Sequence, residues 1–165
     1  IMYVPKFDYI QSRIFSFFYR DTGTHNFQSD KAIESITSGG YFGKGIGEGT
    51  LKNRVPEAHT DYIISVISEE FGVVAIMLIL LLFLMFIYMV FKKINYEKDD
   101  KTKLVLIGCV SLILMQATIH VGVNIRLFPT TGMTLPFLSY GGSSIVSISI
   151  LSGIILNLTK RKIEN

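Results

Sequence analysis

Apolar residues are concentrated in three blocks along the chain, at residues 71–91, 104–125 and 143–158. The first block holds 21 residues without a charge. As a helix rising about 1.5 Å per residue it spans roughly 30 Å, the thickness of a bilayer's hydrocarbon core. The second block has a similar length, and the neighbours of the third can extend it. The pattern therefore predicts an all-α polytopic membrane protein with three transmembrane helices.

Basic residues flank these blocks and predict their orientation. The loop 92–103 carries five lysines in twelve positions, and the tail 159–165 carries three adjacent basic residues. Short loops rich in Lys and Arg stay in the cytoplasm. We therefore expect residues 1–70 and 126–142 on the outer face of the membrane. The net charge of +3 is modest. Because positive charges flank the apolar blocks, membrane orientation explains them better than nucleic-acid binding does.

The segment 1–70 is expected to hold the end of a preceding membrane helix and a large extracytoplasmic loop. Within it, residues 29–36 predict a short surface helix, because Ser29 can act as its N-cap. Residues 38–50, the glycine loop, carry six glycines in thirteen positions. A helix running from 60 to 91 would span about 48 Å, too long for one crossing. It must either project above the membrane or break near Gly72.

Two loops are candidates for binding. The glycine loop contains GKGIGEG, but it lacks the Gly-Lys-Ser/Thr ending of a nucleotide site and follows no buried strand. Its glycines instead allow tight turns near a ligand or another loop. Residues 128–144, FPTTGMTLPFLSYGGSS, are unlike a transmembrane helix, because they contain prolines, paired glycines and hydroxyl side chains. They form either an ordinary outer loop or a re-entrant segment that lines a cavity. We favour the second, with Gly141 and Gly142 allowing close approach.

A polar stripe runs along the second apolar block. Gln116, His120 and Asn124 are spaced i, i+4, i+8 and so share one helix face. Polar groups at this depth are costly unless they face the bundle or water. The stripe therefore serves either hydrogen bonding between helices or contact with a ligand. A metal site is not indicated, because His120 has no second ligand at metal-binding spacing.

Ionisable residues cluster in RVPEAHTDYI, residues 54–63, just ahead of the first block. Asp61 could cap the helix that begins nearby, since a carboxylate suits the free amides at a helix start. An aspartate at the membrane surface is also well placed as a general base on a lipid-linked polar substrate. Glu57 could equally be a solvated loop acid. The residues alone leave these alternatives open.

Three motifs occur in one order: GGYFGKGIGEGT, PEAHTDYIISVISEEFG and PTTGMTLPFLSYGGSS. Together they resemble the SEDS family, the FtsW, RodA and SpoVE proteins of bacterial cell-wall synthesis, from about residue 26 to 160. Because members have about ten membrane helices, the resemblance implies that this chain is the C-terminal part of such a bundle. The sequences RVPEAHTDYI and EEFG are more similar to those of division-type members of the family than to those of elongation-type members.

The resemblance implies a peptidoglycan glycosyltransferase of the bacterial inner membrane, working at the division septum. Such proteins polymerise lipid II together with a class B penicillin-binding transpeptidase and other division proteins. The family's essential acid falls on Asp61, as general base for the acceptor sugar hydroxyl. The diphosphate leaving group needs cationic or amide partners. The candidate substrate-binding residues are Lys44, Lys52, Arg54, Glu57, His59, Thr60, Gln116, His120, Ser139, Tyr140, Gly141, Gly142 and Ser143. No cofactor is implied with certainty, and a divalent cation stays open.

Two positions depart from the family pattern. Many members have Asn at the position of His120, so this chain carries a titratable group there. Some division-type members have Lys at the position of Thr131, which weakens any expectation of a lysine contact at that point.

Two other classes of function compete with the enzyme. A flippase or transporter of the lipid-linked precursor would use Asp61 for coupling and would favour charges near the bilayer midplane. The first two apolar blocks carry no Asp, Glu, Lys or Arg, which favours surface chemistry. A non-catalytic division scaffold would tolerate replacement of Asp61. We expect the 165-residue chain alone to be inactive, since the rest of the bundle would be missing.

Overall fold

A computed structural model describes residues 24–55 and 58–160, and the regular structure of these residues is entirely helical. The helices in chain order are α1 (Thr24–Gly39), α2 (Leu51–Arg54), α3 (Ile63–Tyr96), α4 (Asp100–Asn124) and α5 (Gly142–Thr159). The helix predicted at 29–36 lies within the longer α1. The membrane-helix end expected early in the chain lies outside the described residues, as do Glu57 and the side chain of Lys52.

Helices α3, α4 and α5 are long and apolar enough to cross a membrane. They contain nearly all of the three predicted apolar blocks, so the all-α polytopic fold class is confirmed. Large side chains such as Met77, Leu81 and Leu112 are exposed along them, as expected for faces that meet lipid or further helices. The three helices pack through one buried cluster, formed by Val90, Ile94, Leu106, Cys109, Val110, Ile113, Ile148 and Ile155.

The connection between α3 and α4 is only residues 97–99. Asp99 acts as the N-cap of α4, because its carboxylate accepts from the backbone amides of Lys101 at 3.3 Å and Thr102 at 3.2 Å. The lysines expected in a loop at 92–103 therefore lie mostly on the last turn of α3 and the first turn of α4.

A second buried cluster lies at the opposite end of the membrane helices. It joins α1, α2, the turn 58–62 and the ends of α3 and α4 through Ala32, Leu51, Val55, Ala58, Tyr62, Val66 and Val123. An ion pair between Asp30 of α1 and Arg126, just after α4, closes the same end. This cluster supports the turn that carries Asp61.

Helix α3 is broken at Gly72, which has φ 80° and ψ 178°. The glycine loop enters the break and exchanges backbone hydrogen bonds with both sides. The amides of Val73 and Val74 donate to the carbonyls of Gly40 at 3.0 Å and Tyr41 at 3.3 Å. In return, the amides of the segment after Tyr41 reach the carbonyls just before the break: Lys44 donates to Glu69 at 2.9 Å, and Gly45 to Glu70 at 3.1 Å. Of the two alternatives for the overlong helix, the break is the one that occurs.

The approach between loop and helix is close enough to require glycine at the contact. A Cβ on Gly72 would stand 2.2 Å from the carbonyl oxygen of Tyr41, and one on Gly43 would stand 2.2 Å from that of Glu70. Both residues also have positive φ, at 80° and 78°, where a side chain is strained. The break therefore depends on glycine for space as well as for backbone conformation.

Replacing Gly72 with Ala should destabilise the protein by about 2–4 kcal/mol, because the strained backbone and the contact with Tyr41 add together. The matched control is Gly108→Ala in α4, where an added Cβ would meet no atom within 4 Å. That change should leave stability unchanged or raise it by up to about 1 kcal/mol. Thermal unfolding in nanodiscs would measure both. Equal unfolding temperatures for the two variants would contradict the tight contact at Gly72.

Candidate functional site

Asp61 lies in the turn 58–62, between α2 and α3, and is 7% exposed. Helix α3 begins at Ile63 with Tyr62 as its N-cap residue, so Asp61 stands one residue ahead of the cap position. The side chain of His59 is exposed and that of Thr60 is half-buried. The turn thus presents the HTD motif, His59, Thr60 and Asp61, at different depths on one short stretch of backbone.

Three successive carbonyls of this turn are held by groups from outside it. The backbone amide of Tyr140 donates to the carbonyl of His59 at 3.1 Å. The hydroxyl of Ser139 donates to the carbonyl of Thr60 at 2.7 Å, and the side-chain amide of Asn124 donates to the carbonyl of Asp61 at 2.9 Å. Because every carbonyl of the motif is fixed, the backbone that carries the Asp61 carboxylate has little freedom to shift.

Asn124 is fully buried and uses both ends of its amide. Its nitrogen donates to the carbonyls of Asp61 and His120, each at 2.9 Å. Its oxygen accepts from the amide of Ser65 at 3.2 Å and from the Ser65 hydroxyl at 2.7 Å. One side chain therefore ties the turn, the start of α3 and the end of α4 together.

The other two members of the polar stripe hold the loop 125–141. His120 is fully buried, and its Nδ1 lies 2.7 Å from the carbonyl of Met133. A carbonyl only accepts, so Nδ1 carries the proton and donates. The Gln116 amide nitrogen donates to the Thr134 carbonyl at 2.9 Å and to the Ser144 hydroxyl at 3.1 Å. The predicted shared face exists, and along it the stripe binds backbone and hydroxyl groups of the site.

The loop 125–141 brings its PTTG motif against Asp61. A Cβ on Gly132 would lie 4.0 Å from the Asp61 Oδ2 atom, so this stretch of the loop lies beside the carboxylate. Gly132 has φ 73°, a conformation that favours glycine. Further along the loop, Ser139 also accepts from the amide of Leu135 at 2.8 Å. The loop is thus folded back on itself beside the acid.

The glycine loop is organised by a carboxylate that the sequence patterns did not single out. Glu69 is 1% exposed and accepts from the Lys44 ammonium at 2.9 Å, the Thr50 hydroxyl at 3.1 Å and the backbone amide of Leu51 at 3.0 Å. A buried charge persists only when it is paired and hydrogen-bonded, and these donors supply both. Lys44, a candidate for contact with the substrate diphosphate, is ion-paired with Glu69. The only sequence signal was an acid placed directly before a charge-free membrane block.

Of the remaining candidates, Ser139, Tyr140, His59 and Thr60 come together around the turn, as described above. Arg54, Gly142 and Ser143 are exposed. A Cβ on Gly141 would meet the Thr134 side chain at 3.1 Å. Gly141 therefore serves contact within the loop, and Gly142 is open. Within residues 24–55 and 58–160 there is no group of three or more His, Cys, Asp or Glu side chains suited to hold a metal.

The sequence profile of FtsW, RodA and SpoVE proteins, described as "Cell cycle protein", matches residues 1–164. The chain belongs to this family. Relatives named "Probable peptidoglycan glycosyltransferase FtsW" include those of Enterococcus hirae, 38% identical over 84% of this chain, and Caulobacter vibrioides, 38% identical over 94%. The Bacillus subtilis relative of the same name is 40% identical over 76%. The chain spans 35%, 40% and 31% of the length of these three relatives.

For this FtsW/RodA/SpoVE chain, Glu69→Gln should lower stability by about 1–3 kcal/mol, because the amide cannot pair with Lys44 and presents a donor to the Leu51 amide. Glu48→Gln is the matched control, since Glu48 is exposed on the same loop. Thermal unfolding in detergent would compare the two. A Glu69 variant as stable as the Glu48 variant would show that the buried contacts do not hold the loop.

Asn124→Leu keeps the number and branching of the side-chain heavy atoms and removes four hydrogen bonds. It should cost about 2–4 kcal/mol, because buried partners on Asp61 and Ser65 lose their hydrogen bonds to the amide. Asn157→Leu makes the same change at an exposed position of α5 and should not destabilise the protein. Chemical unfolding in mixed micelles would measure the difference. If both substitutions changed the free energy of unfolding equally, the hydrogen bonds of Asn124 would not stabilise the fold.

Proposed function

We propose that this chain is part of a peptidoglycan glycosyltransferase that polymerises lipid II during cell division, with Asp61 as the general base. Family membership and the names of the relatives support the reaction class. The observation that carries the role of Asp61 is the fixing of three successive carbonyls in its turn. A general base must be held at a constant position relative to the hydroxyl whose proton it takes.

In the proposed reaction, a hydroxyl oxygen of the acceptor sugar forms a bond with the anomeric carbon of the donor. The bond from that carbon to a diphosphate oxygen breaks, and undecaprenyl diphosphate leaves with the electron pair. The acceptor's proton passes to the Asp61 carboxylate. Negative charge on the leaving group needs cationic or amide partners. Arg54 is exposed near the turn in sequence and is the better candidate, since the ammonium of Lys44 is paired with Glu69.

The orientation and partners belong to the same proposal. The turn 58–62 and the loop 125–141 would face the outer side of the inner membrane, at the division septum, where the lipid-linked substrate is polymerised. Lys92 and Lys93 at the far end of α3 support this orientation, because basic residues stay in the cytoplasm. A class B penicillin-binding transpeptidase would cross-link the glycan product.

A flippase for the precursor is the main competitor, and the spans themselves argue against it. Residues 71–91 and 104–125 contain no Asp, Glu, Lys or Arg, whereas coupled transport favours ionisable groups at the midplane. The polar stripe of α4 is also engaged in holding the backbone of the site. These observations favour chemistry at the membrane surface.

Asp61→Asn in the full-length protein should reduce lipid II polymerisation at least about 100-fold, since an amide cannot accept the proton. The enzyme would be purified with its transpeptidase partner and glycan chains followed by gel electrophoresis. Asp100→Asn is the matched control, at a side chain that is 94% exposed on α4.

The Asp61 variant must also keep its unfolding temperature and its partner. Normal glycan synthesis by this variant would show that Asp61 is not the general base, and it would favour the flippase or scaffold function. Loss of synthesis together with loss of folding would mean that the carboxylate is structural.

A further inference from the structure

The tip of the glycine loop carries large apolar side chains that contact little of the described protein. Tyr41 is 78% exposed, Phe42 86% and Ile46 79%. These three exposed apolar residues lie within six positions of the chain, and we call them the loop tip. Surfaces of this kind mark sites of interaction with a membrane or another molecule.

The position of the loop tip relative to the bilayer follows from its hydrogen bonds. The carbonyls of Gly40 and Tyr41 accept from the amides of Val73 and Val74. These two amides open the charge-free run, whose 21 residues at 71–91 match the roughly 30 Å hydrocarbon thickness. One boundary of the hydrocarbon must therefore lie near the first turn of this run. The loop tip is fixed at the same level, within about one helical turn.

The first turns after the break, which bond to the base of the loop tip, also expose apolar side chains. Val74 and Met77, on the first turns after the break, are 52% and 62% exposed. The charged groups of the glycine loop stand beside the tip, with Lys44 tied to Glu69 and Glu48 exposed. Aromatic residues flanked by polar groups are typical of the membrane–water interface, and a lysine there can keep its ammonium in the polar layer.

We propose that the loop tip inserts into the interfacial layer of the bilayer and contacts lipid. The glycine loop thereby anchors the segment 63–71 at a constant depth, because its backbone is bonded to Glu69 and Glu70. This inference goes beyond the glycosyltransferase reaction and holds whether or not Asp61 acts as a base. In this proposal Phe42 contacts lipid, and the glycines around it set the depth of that contact in the bilayer.

The test places a fluorescent label on Phe42→Cys in the full-length protein, in a background without other cysteines that includes Cys109→Ser. The protein is reconstituted in nanodiscs of phosphatidylethanolamine and phosphatidylglycerol. Quenching is measured with lipids that carry a nitroxide near the headgroup and, separately, with aqueous iodide. The same label at Glu48→Cys is the control, and a label at Tyr41→Cys measures quenching at a second position of the loop tip.

We expect the lipid nitroxide to quench the labels at Phe42 and Tyr41 several-fold more strongly than the label at Glu48, and iodide to show the reverse order. Two results would overturn the proposal. Iodide quenching at Phe42 equal to that at Glu48, without lipid quenching, would place the tip in water. Protection from both quenchers would mean that protein covers it.

Discussion

The exchange of backbone hydrogen bonds between the glycine loop and the break in α3 is the constraint on which the rest of the structure depends. A helix that breaks at the edge of a membrane leaves carbonyls and amides without intrahelical partners, and each would be costly in an apolar environment. The loop supplies all four groups that meet those of Glu69, Glu70, Val73 and Val74. Once the loop is held there, Glu69 reaches the start of α2, which packs in the same buried cluster as the turn that carries Asp61.

The site itself is held by a second system of contacts, which comes from the opposite side. The polar stripe of α4 binds the turn through Asn124 and the loop 125–141 through His120 and Gln116. These amide and imidazole groups are costly to bury unless satisfied. The Asn124 amide is fully hydrogen-bonded, and His120 and Gln116 each hold one backbone carbonyl of the loop. Side chains that make such contacts fix the shape of a site, and a fixed arrangement of polar groups is what electrostatic catalysis requires.

Much of the fold could be predicted from the sequence, because hydrophobic length and helical spacing are local properties. The three spans and the common face of Gln116, His120 and Asn124 belong to this class. The partners of these side chains could not be predicted, since Asn124 bonds to residues 59 and 63 positions away. Glu69 escaped notice for the same reason: only the folded loop brings Lys44 and Leu51 to it. The candidacy of Lys44 for the diphosphate rests on charge alone, and charge in the sequence did not reveal its ion pair with Glu69.

The short segment 63–71 joins the two systems, and its length bears on the proposed reaction. Ser65 binds Asn124 near its start, and Glu69 binds the glycine loop near its end. Nine helical residues rise roughly 14 Å, so Asp61 lies at most about that far beyond the hydrocarbon boundary at the break. The polar layer of a bilayer is roughly 5–8 Å thick on each side. The carbonyl of Asp61 also accepts from Asn124, at the end of the second apolar block, so the residue lies at or just beyond the hydrocarbon boundary. In the proposed reaction, that is the height of the diphosphate and sugars of a membrane-anchored substrate. Anchoring the loop at the interface would keep that height constant while the substrate diffuses in the plane of the membrane.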